Sequence, residues 1–328
     1  MSKVKVGFIG VGGIASVHLK NISDNENAEI VAVCDISEEN VQRASSQYGA
    51  PAYTDSKQMI EEIDMDALYL CVPPFAHGTL EEDAVAKGIH LLVEKPVELD
   101  VAKAAKKGEA IKEAGIINAS GYCLRYLDTV QKAKEYLEGK EIGMVRGYYL
   151  SAFVPTPWFR EMDKSGGQLV EQATHTLDLM RYFAGDITDV YANMNLSLLK
   201  DIPNITIPDV TSVNCVFESG VVGHLDCSNT QPDHRSGLEI LGRDFRVHID
   251  GTDLEIVEKG KVTRYKATVN FMAEEDKQFI EAVRTKDQSL ILSCYQNGLE
   301  TLTATMAANE SNETKAPVKI SEFAKSTT

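Results

Sequence analysis

The stretch that decides the fold is Val4-Lys5-Val6-Gly7-Phe8-Ile9-Gly10-Val11-Gly12-Gly13-Ile14-Ala15. Val4–Ile9 is a short apolar run that reads as a buried strand, and residues 14–22 carry the spacing of a helix. Between them lies G-x-G-x-x-A, the dinucleotide fingerprint. Gly10 permits the tight turn, Gly12 lets a pyrophosphate approach the backbone, and Ala15 is small enough for the helix to pack on the strand. The anion would sit on the exposed N–H groups of the helix that opens at Gly13 and Ile14. A glycine motif alone is weak. Here it follows a strand, precedes a helix and is answered by Asp35, twenty residues after Ala15, at the end of a second strand-like run over 29–34. The Asp35 carboxylate can accept from both ribose hydroxyls and would repel a 2′-phosphate, so NAD is expected, with Ile36 next to the ribose. Ser37 and Arg43 leave NADP open.

The same alternation continues outward. Helical periods over Glu38–Tyr48, 79–87 and Val101–Ala114 separate apolar runs at 67–72, 89–93 and 116–119. Short apolar strands with amphipathic helices between them predict a doubly wound parallel α/β domain, residues 1–123. Beyond it the pattern changes. Helices are expected at 128–137, 167–183, 274–284 and 293–309, and strands at 145–154, 210–217, 221–227, 238–249 and 262–267. Consecutive strands favour an antiparallel sheet, so residues 124–328 read as an α+β domain: one large, mainly antiparallel open sheet with helices on one face. The last dozen residues are polar and expected to be loosely held.

Composition sets the outer limits. At roughly 150 residues per domain, 328 residues make about two domains. Lys and Arg number 33 against 49 Asp and Glu, a net charge of −16, which argues against nucleic acid and anionic membranes as partners. No apolar run reaches the roughly 18 residues of a membrane-spanning helix. The basic-then-apolar start, Met1 to Phe8, runs into a glycine turn rather than a cleavage site, so it does not read as a signal peptide. The six cysteines, at 34, 71, 123, 215, 227 and 294, include no Cys-x-x-Cys. Neither a zinc knuckle nor a redox pair is suggested, Cys34, Cys71 and Cys123 read as small buried groups, and a reducing cytoplasmic compartment is expected.

Chemistry is expected beyond the carboxyl ends of the parallel strands. One such end is Cys71-Val72-Pro73-Pro74-Phe75-Ala76-His77, where Cys71, Pro73 and Pro74 would flank the cofactor ribose and His77 would cap a helix or touch that ribose. Another is Leu92-Val93-Glu94-Lys95-Pro96, which brings Glu94 and Lys95 to the cofactor edge. A cis Lys95–Pro96 peptide is expected there. In the second half, Leu169, Ala173, Leu177 and Met180 form one helical stripe, with Glu171, His175 and Asp178 at i, i+4 and i+7 on the opposite face. That face is either solvated or a site. A metal would use the same residue types, but further ligands are not evident, and none is expected.

At this point the chain resembles a family. Gly10-x-Gly12-x-x-Ala15, Glu94-Lys95-Pro96 and Glu171-x-x-x-His175-x-x-Asp178, in that order, look like the Gfo/Idh/MocA oxidoreductases, which include glucose–fructose oxidoreductase and inositol dehydrogenases. Gly121-Tyr122-x-x-Arg125-Tyr126, Trp158-Phe159-Arg160 and the segment 166–175 extend the likeness over essentially the whole chain. One departure is Glu171, where many sugar dehydrogenases of the family carry Asp. The resemblance implies hydride transfer between a nicotinamide and a secondary alcohol of a sugar or cyclitol. His175 would be the base, since an imidazole is poised near neutral pH. Glu171 would orient it, and Lys95 would donate to the reacting oxygen; in the alternative, Lys95 is the base and His175 only binds. Asp178 would bind substrate hydroxyls, and Tyr122, Arg125, Trp158 and Arg160 would wall the pocket. The family also implies a homodimer or homotetramer formed through the open face of the second-domain sheet, which Thr211, Asn214, His224 and Asp226 make modestly polar. Two other readings keep the fold: an NAD-dependent glycosidase using transient oxidation, and a non-catalytic NAD-sensing regulator, against which intact Lys95 and His175 speak.

Overall fold

β1 (Val4–Ile9) is buried at all but one of its positions, as a strand covered on both faces must be. In the computed structural model, which describes residues 3–327, Met1 and Ser2 of the basic start and Thr328 lie outside the described residues. From β1 the glycine turn leads into α1 (Gly13–Asp24), β2 (Ala28–Cys34), α2 (Glu38–Tyr48), β3 (Ala52–Tyr53), α3 (Ser56–Glu62), β4 (Ala67–Leu70), α4 (Leu80–Ala86), β5 (His90–Val93), α5 (Val101–Ala114) and β6 (Asn118–Ser120). The strands pair in the order β3-β2-β1-β4-β5-β6, and every pairing is parallel. The order reverses between β1 and β4, the switch point at which open α/β sheets bind ligands. β3 and α3 escape a reading by period because β3 has only two residues; Asp55 caps α3 by accepting from the N–H groups of Lys57 and Gln58.

The chain then forms α6 (Asp128–Leu137), β7 (Ile142–Leu150), α7 (Met162–Ser165), α8 (Gln168–Glu171), α9 (Thr174–Ala184), β8 (Ile187–Asn195), β9 (Val210–Phe217), β10 (Val222–Ser228), β11 (Arg235–Gly242), β12 (Phe245–Asp250), β13 (Asp253–Glu258) and β14 (Lys261–Tyr265). It closes with α10 (Phe271–Thr285), α11 (Tyr295–Thr314), β15 (Val318–Lys319) and α12 (Ile320–Thr327). The nine strands of this second sheet run β14-β13-β12-β11-β7-β10-β9-β8-β15. Only β7 and β10 are parallel neighbours; the other pairings are antiparallel. β9 alternates in burial, with Val213, Cys215 and Phe217 on the covered face. The covering helix is α9. A Cβ on Gly147 would come within 2.6 Å of Thr176 Cγ2, and one on Gly223 within 3.1 Å of Met180 Cε.

Four sequence expectations are corrected. Residues 238–249 are not one strand but the hairpin β11–β12, turned at Asp244, whose φ of 63° is left-handed. Thr211 shares the parity of Val213 and is buried on the helix side, not on the open face. The polar end is not irregular over 318–327: β15 pairs with β8, and α12, which has no buried residue, follows it. The helix expected over 167–183 is interrupted, as described below.

The chain splits into two compact units, one of Met1–Glu98, Lys103–Tyr126 and Asn270–Gly298, the other of Leu99–Ala102, Leu127–Val269 and Leu299–Thr328. α10 thus joins the first unit, although a single cut after residue 123 puts it in the second. The reason is packing: Phe279, Ile280, Ala282 and Val283 of α10 are buried in one core with Val6, Phe8, Leu19 and Tyr69. Among the described residues, no helix is long and apolar enough to cross a membrane.

Candidate active site

In the first unit the glycine turn has the form an anion site needs. Gly10 has a φ of 82°, and a Cβ there would lie 2.5 Å from the carbonyl oxygen of Cys71. Only glycine fits such a turn without strain. Gly12 and Gly13 are exposed, and a Cβ on either would meet nothing within 4 Å. No side chain caps α1, and its first turn holds no acid, so the leading N–H groups and the positive end of the helix dipole are available to a phosphate. Ile14 is exposed beside them. At the end of β2, Asp35 is fixed by two backbone donors: Oδ2 accepts the Val11 N–H at 2.9 Å and Oδ1 the Ser37 N–H at 2.8 Å. Ile36 is 96% exposed. The two residues that left NADP open are engaged elsewhere. Ser37 Oγ caps α2 by accepting the Asn40 N–H, and Arg43 donates to Asn40 Oδ1. These residues fit a dinucleotide.

After β4, Cys71 is buried and Pro74 opens a turn of 3-10 helix, Pro74–Ala76, with Pro73 before it. His77 is 1% exposed and pairs through Nδ1 with Glu81 Oε1 at 2.6 Å. Glu81 also faces Lys107 Nζ at 3.0 Å, and Lys107 donates to Glu98 Oε2 at 3.0 Å. All four side chains are buried. Burial pushes the Glu81 carboxyl up, but His77 and Lys107 outweigh it and hold it below the usual range. The same balance, burial opposed by Glu81 and Glu98, raises Lys107.

Lys95 follows β5 and is half-buried, and the Lys95–Pro96 peptide is cis, as expected. Glu94 is buried; its Oε2 accepts the Lys95 backbone N–H at 3.0 Å and its Oε1 meets His18 Nε2 at 3.0 Å. His18 Nδ1 meets Asp276 Oδ1 at 2.7 Å. Burial alone would lower the His18 pKa, but the carboxylates of Asp276 and Glu94 carry it well above the usual imidazole value. Tyr122 and Arg125 are also buried, and Arg125 Nη1 donates to the Leu292 carbonyl at 2.7 Å. His18 and Lys107 belong to these clusters although no motif marks them. The signal was there: Ala15, His18, Leu19 and Ile22 form the buried stripe of α1, and Lys107 continues the buried spacing of Val101 and Ala104 on α5. A titratable group at a core position needs partners.

In the second unit, Glu171, His175 and Asp178 do not share one regular helix. Glu171 ends α8, and His175 and Asp178 lie on α9. At the joint the Ala173 N–H bonds to the Gln168 carbonyl, one residue further back than in an α-helix. Such a single wide turn shifts everything after it around the axis, so the i, i+4 relation of Glu171 to His175 is lost. Glu171 and His175 are half-buried. Asp178 is 1% exposed, and its Oδ1 accepts the Thr301 hydroxyl at 3.1 Å. Trp158 is half-buried with its ring edge-on to Phe159. Arg160 donates to the carbonyls of Pro203 and Pro155. Among the described residues, no group of three or more His, Cys, Asp or Glu could hold a metal, and all six cysteines are free thiols.

Comparison with known proteins follows both units. A family model described as "Oxidoreductase family, NAD-binding Rossmann fold" matches residues 4–122, and one described as "GFO/IDH/MocA C-terminal domain" matches 130–257. A myo-inositol 2-dehydrogenase of Thermotoga maritima is 26% identical over 97% of this chain and 99% of its own length. An oxidoreductase from Agrobacterium radiobacter, solved with NAD+, L-tartaric acid and magnesium, superimposes with a TM-score of 0.88 at 20% identity, over 98% of this chain and all of that one. A levoglucosan dehydrogenase solved with NADH and L-sorbose gives a TM-score of 0.88 at 17% identity, over 98% and 99% of the two chains. At these identities the two structures show a shared fold.

Proposed function

Because the chain belongs to the GFO/IDH/MocA oxidoreductase family, with an NAD-binding Rossmann fold in its first half, we propose that it is an NAD-dependent dehydrogenase of a sugar or cyclitol secondary alcohol. The observation that carries the reading is in the first unit. The open glycine turn, the fixed Asp35 and Lys95 all stand at the carboxyl ends of parallel strands of one sheet. NAD, when bound, supplies the hydride acceptor. The alcohol must also lose its hydroxyl proton, and His175 is the base in this proposal, as an imidazole suits neutral pH. Lys95 donates a hydrogen bond to the reacting oxygen and stabilises its developing negative charge. Glu171 tunes the imidazole from the neighbouring one-turn helix. Trp158 of the second unit offers an aromatic face to the C–H face of a sugar, and Arg160 and Asp178 of that unit and Tyr122 and Arg125 of the first are the further substrate-binding residues of this proposal. Asp35 selects NAD over NADP, a preference supported by the engagement of Ser37 and Arg43 with Asn40. Relatives named for inositol and levoglucosan support the substrate class.

The test is a panel of cyclitols, sugars and sugar acids scored by NADH absorbance, with Lys95→Ala assayed on the best substrate. Turnover should fall about a hundredfold or more, as when a donor to a developing oxyanion is lost, while NADH binding by fluorescence persists. Full turnover by Lys95→Ala removes the lysine from the chemistry, and no NADH from any alcohol in the panel removes the proposal.

A further inference from the structure

α1, whose first turn is the anion site, is connected to the Lys95 backbone by one buried chain of polar contacts. His18 is fully buried on α1. Its Nδ1 faces Asp276 Oδ1 and its Nε2 faces Glu94 Oε1. A carboxylate accepts hydrogen bonds, so a ring set between two of them is best served by donating from both nitrogens, as an imidazolium does, in line with the raised His18 pKa. The surroundings hold each carboxylate in place. Asp276 Oδ2 accepts from Asn21 Nδ2 at 2.8 Å, also on α1. Glu94 Oε2 accepts the Lys95 N–H at 3.0 Å. The Glu94 carboxylate lies over Gly121, where a Cβ would approach it to 2.7 Å. The His18 ring rests 5.3 Å from that of Tyr69, which meets Phe279 of α10 edge-on. A cation held this way has no freedom to reorient, and neither has the Glu94 carboxylate it pairs with.

We propose that His18 is a positioning residue: as a buried imidazolium between Asp276 and Glu94, it fixes the carboxylate that receives the Lys95 backbone N–H, and so sets the Lys95 ammonium in register with a dinucleotide on α1. The inference rests on Lys95 being the reacting lysine. His18 touches neither cofactor nor substrate and acts through Glu94. Without its charge, two buried carboxylates lose their shared cation, and the Lys95 segment loses its fixed anchor.

The test compares His18→Gln, Glu94→Gln and the double variant with the intact protein. Each single change should lower kcat about tenfold to a hundredfold, the effect of a small misplacement of a reacting group, while in His18→Gln KM and the NADH dissociation constant stay close to those of the intact protein. The double variant should be no worse than the poorer single one, because both act through one contact. A readout free of turnover accompanies these: labelling of Lys95 by pyridoxal and borohydride, followed by peptide mass spectrometry. His18→Gln should slow labelling several-fold, since uncompensated carboxylates favour the charged amine. Where His18→Gln fails to fold, the isosteric Glu94→Gln carries the turnover readouts, and its labelling of Lys95 should change in the opposite direction, because it removes a negative charge beside the amine. Losses that multiply in the double variant, or unchanged Lys95 labelling in both single variants, overturn the proposal. A protein that oxidises no alcohol yet shows the labelling change keeps the positioning role and loses the dehydrogenase reading.

Discussion

Replacing Lys107 with Met tests how the buried charges of the first unit are balanced. Lys107 is 2% exposed and holds Glu81 and Glu98, each at 3.0 Å, with His77 on the far side of Glu81. Methionine fills the same space without charge, takes the ammonium from both buried carboxylates and leaves Glu81 facing the His77 imidazole. Removing one partner of a buried ion pair costs about 3–5 kcal/mol, far above the value of an exposed pair, about 0–1 kcal/mol. The pH dependence follows from the direction of the Glu81 shift. Its carboxyl lies below its ordinary value of 4.5 in the folded protein, so the stability it adds is present above that value and is lost as pH falls through the folded pKa. In Lys107→Met the balance at Glu81 inverts: its burial is opposed by His77 alone and its carboxyl takes up a proton on folding, so the penalty is full at neutral pH and fades as pH falls toward the ordinary carboxylate range. The gap between the two proteins should therefore be widest near pH 7 and narrow steadily toward about pH 5. Urea unfolding followed by far-ultraviolet circular dichroism at several pH values measures it. A gap of less than about 1 kcal/mol at neutral pH, or one that does not change with pH, would refute the reasoning that Lys107 neutralises these acids.

Two further outcomes follow from the cofactor turn. Gly10→Ala should destabilise the protein by about 1–2 kcal/mol for the left-handed backbone alone, with more for the 2.5 Å approach to Cys71 O, and should weaken NADH binding; a thermal melt and a fluorescence titration read both, and an unchanged melting temperature contradicts the turn geometry. Asp35→Ser should weaken NADH binding about tenfold or more, the value of a hydrogen bond to a charged group, and improve NADPH binding relative to NADH; unaltered discrimination between the two would remove Asp35 from cofactor choice.

Much of the first unit was legible because parallel strands are covered on both faces and stand out as apolar runs between amphipathic helices. Glu38–Tyr48 and Val101–Ala114 fall where the period places them. β3 and α3 were not, since two residues carry no period. In the second unit, Val210–Phe217 alternates clearly, whereas the turn within 238–249 is only two residues long, Arg243 and Asp244 after Gly242, and strand-like residues continue on both sides of it. The interruption at Gln172 and Ala173 was invisible because both residues suit a regular helix; the slip comes from which carbonyl Ala173 bonds. Asp35 and the glycine turn could be found from spacing alone. His18 and Lys107 could not be assigned roles from the sequence, because their partners Asp276 and Glu81 come from distant segments.

The centre of the large sheet sets a timetable for synthesis. β7 lies between β10 and β11, yet its own residues end at Leu150 while those neighbours begin only at Val222 and Arg235. At about 5–20 residues per second, the strand leaves the ribosome several seconds before anything exists to pair with it. During that interval both of its hydrogen-bonding edges are open to other nascent chains. Yield in a cell should therefore depend on how crowded the growing chains are and on how fast a chaperone shields them, more than on the stability of the finished sheet.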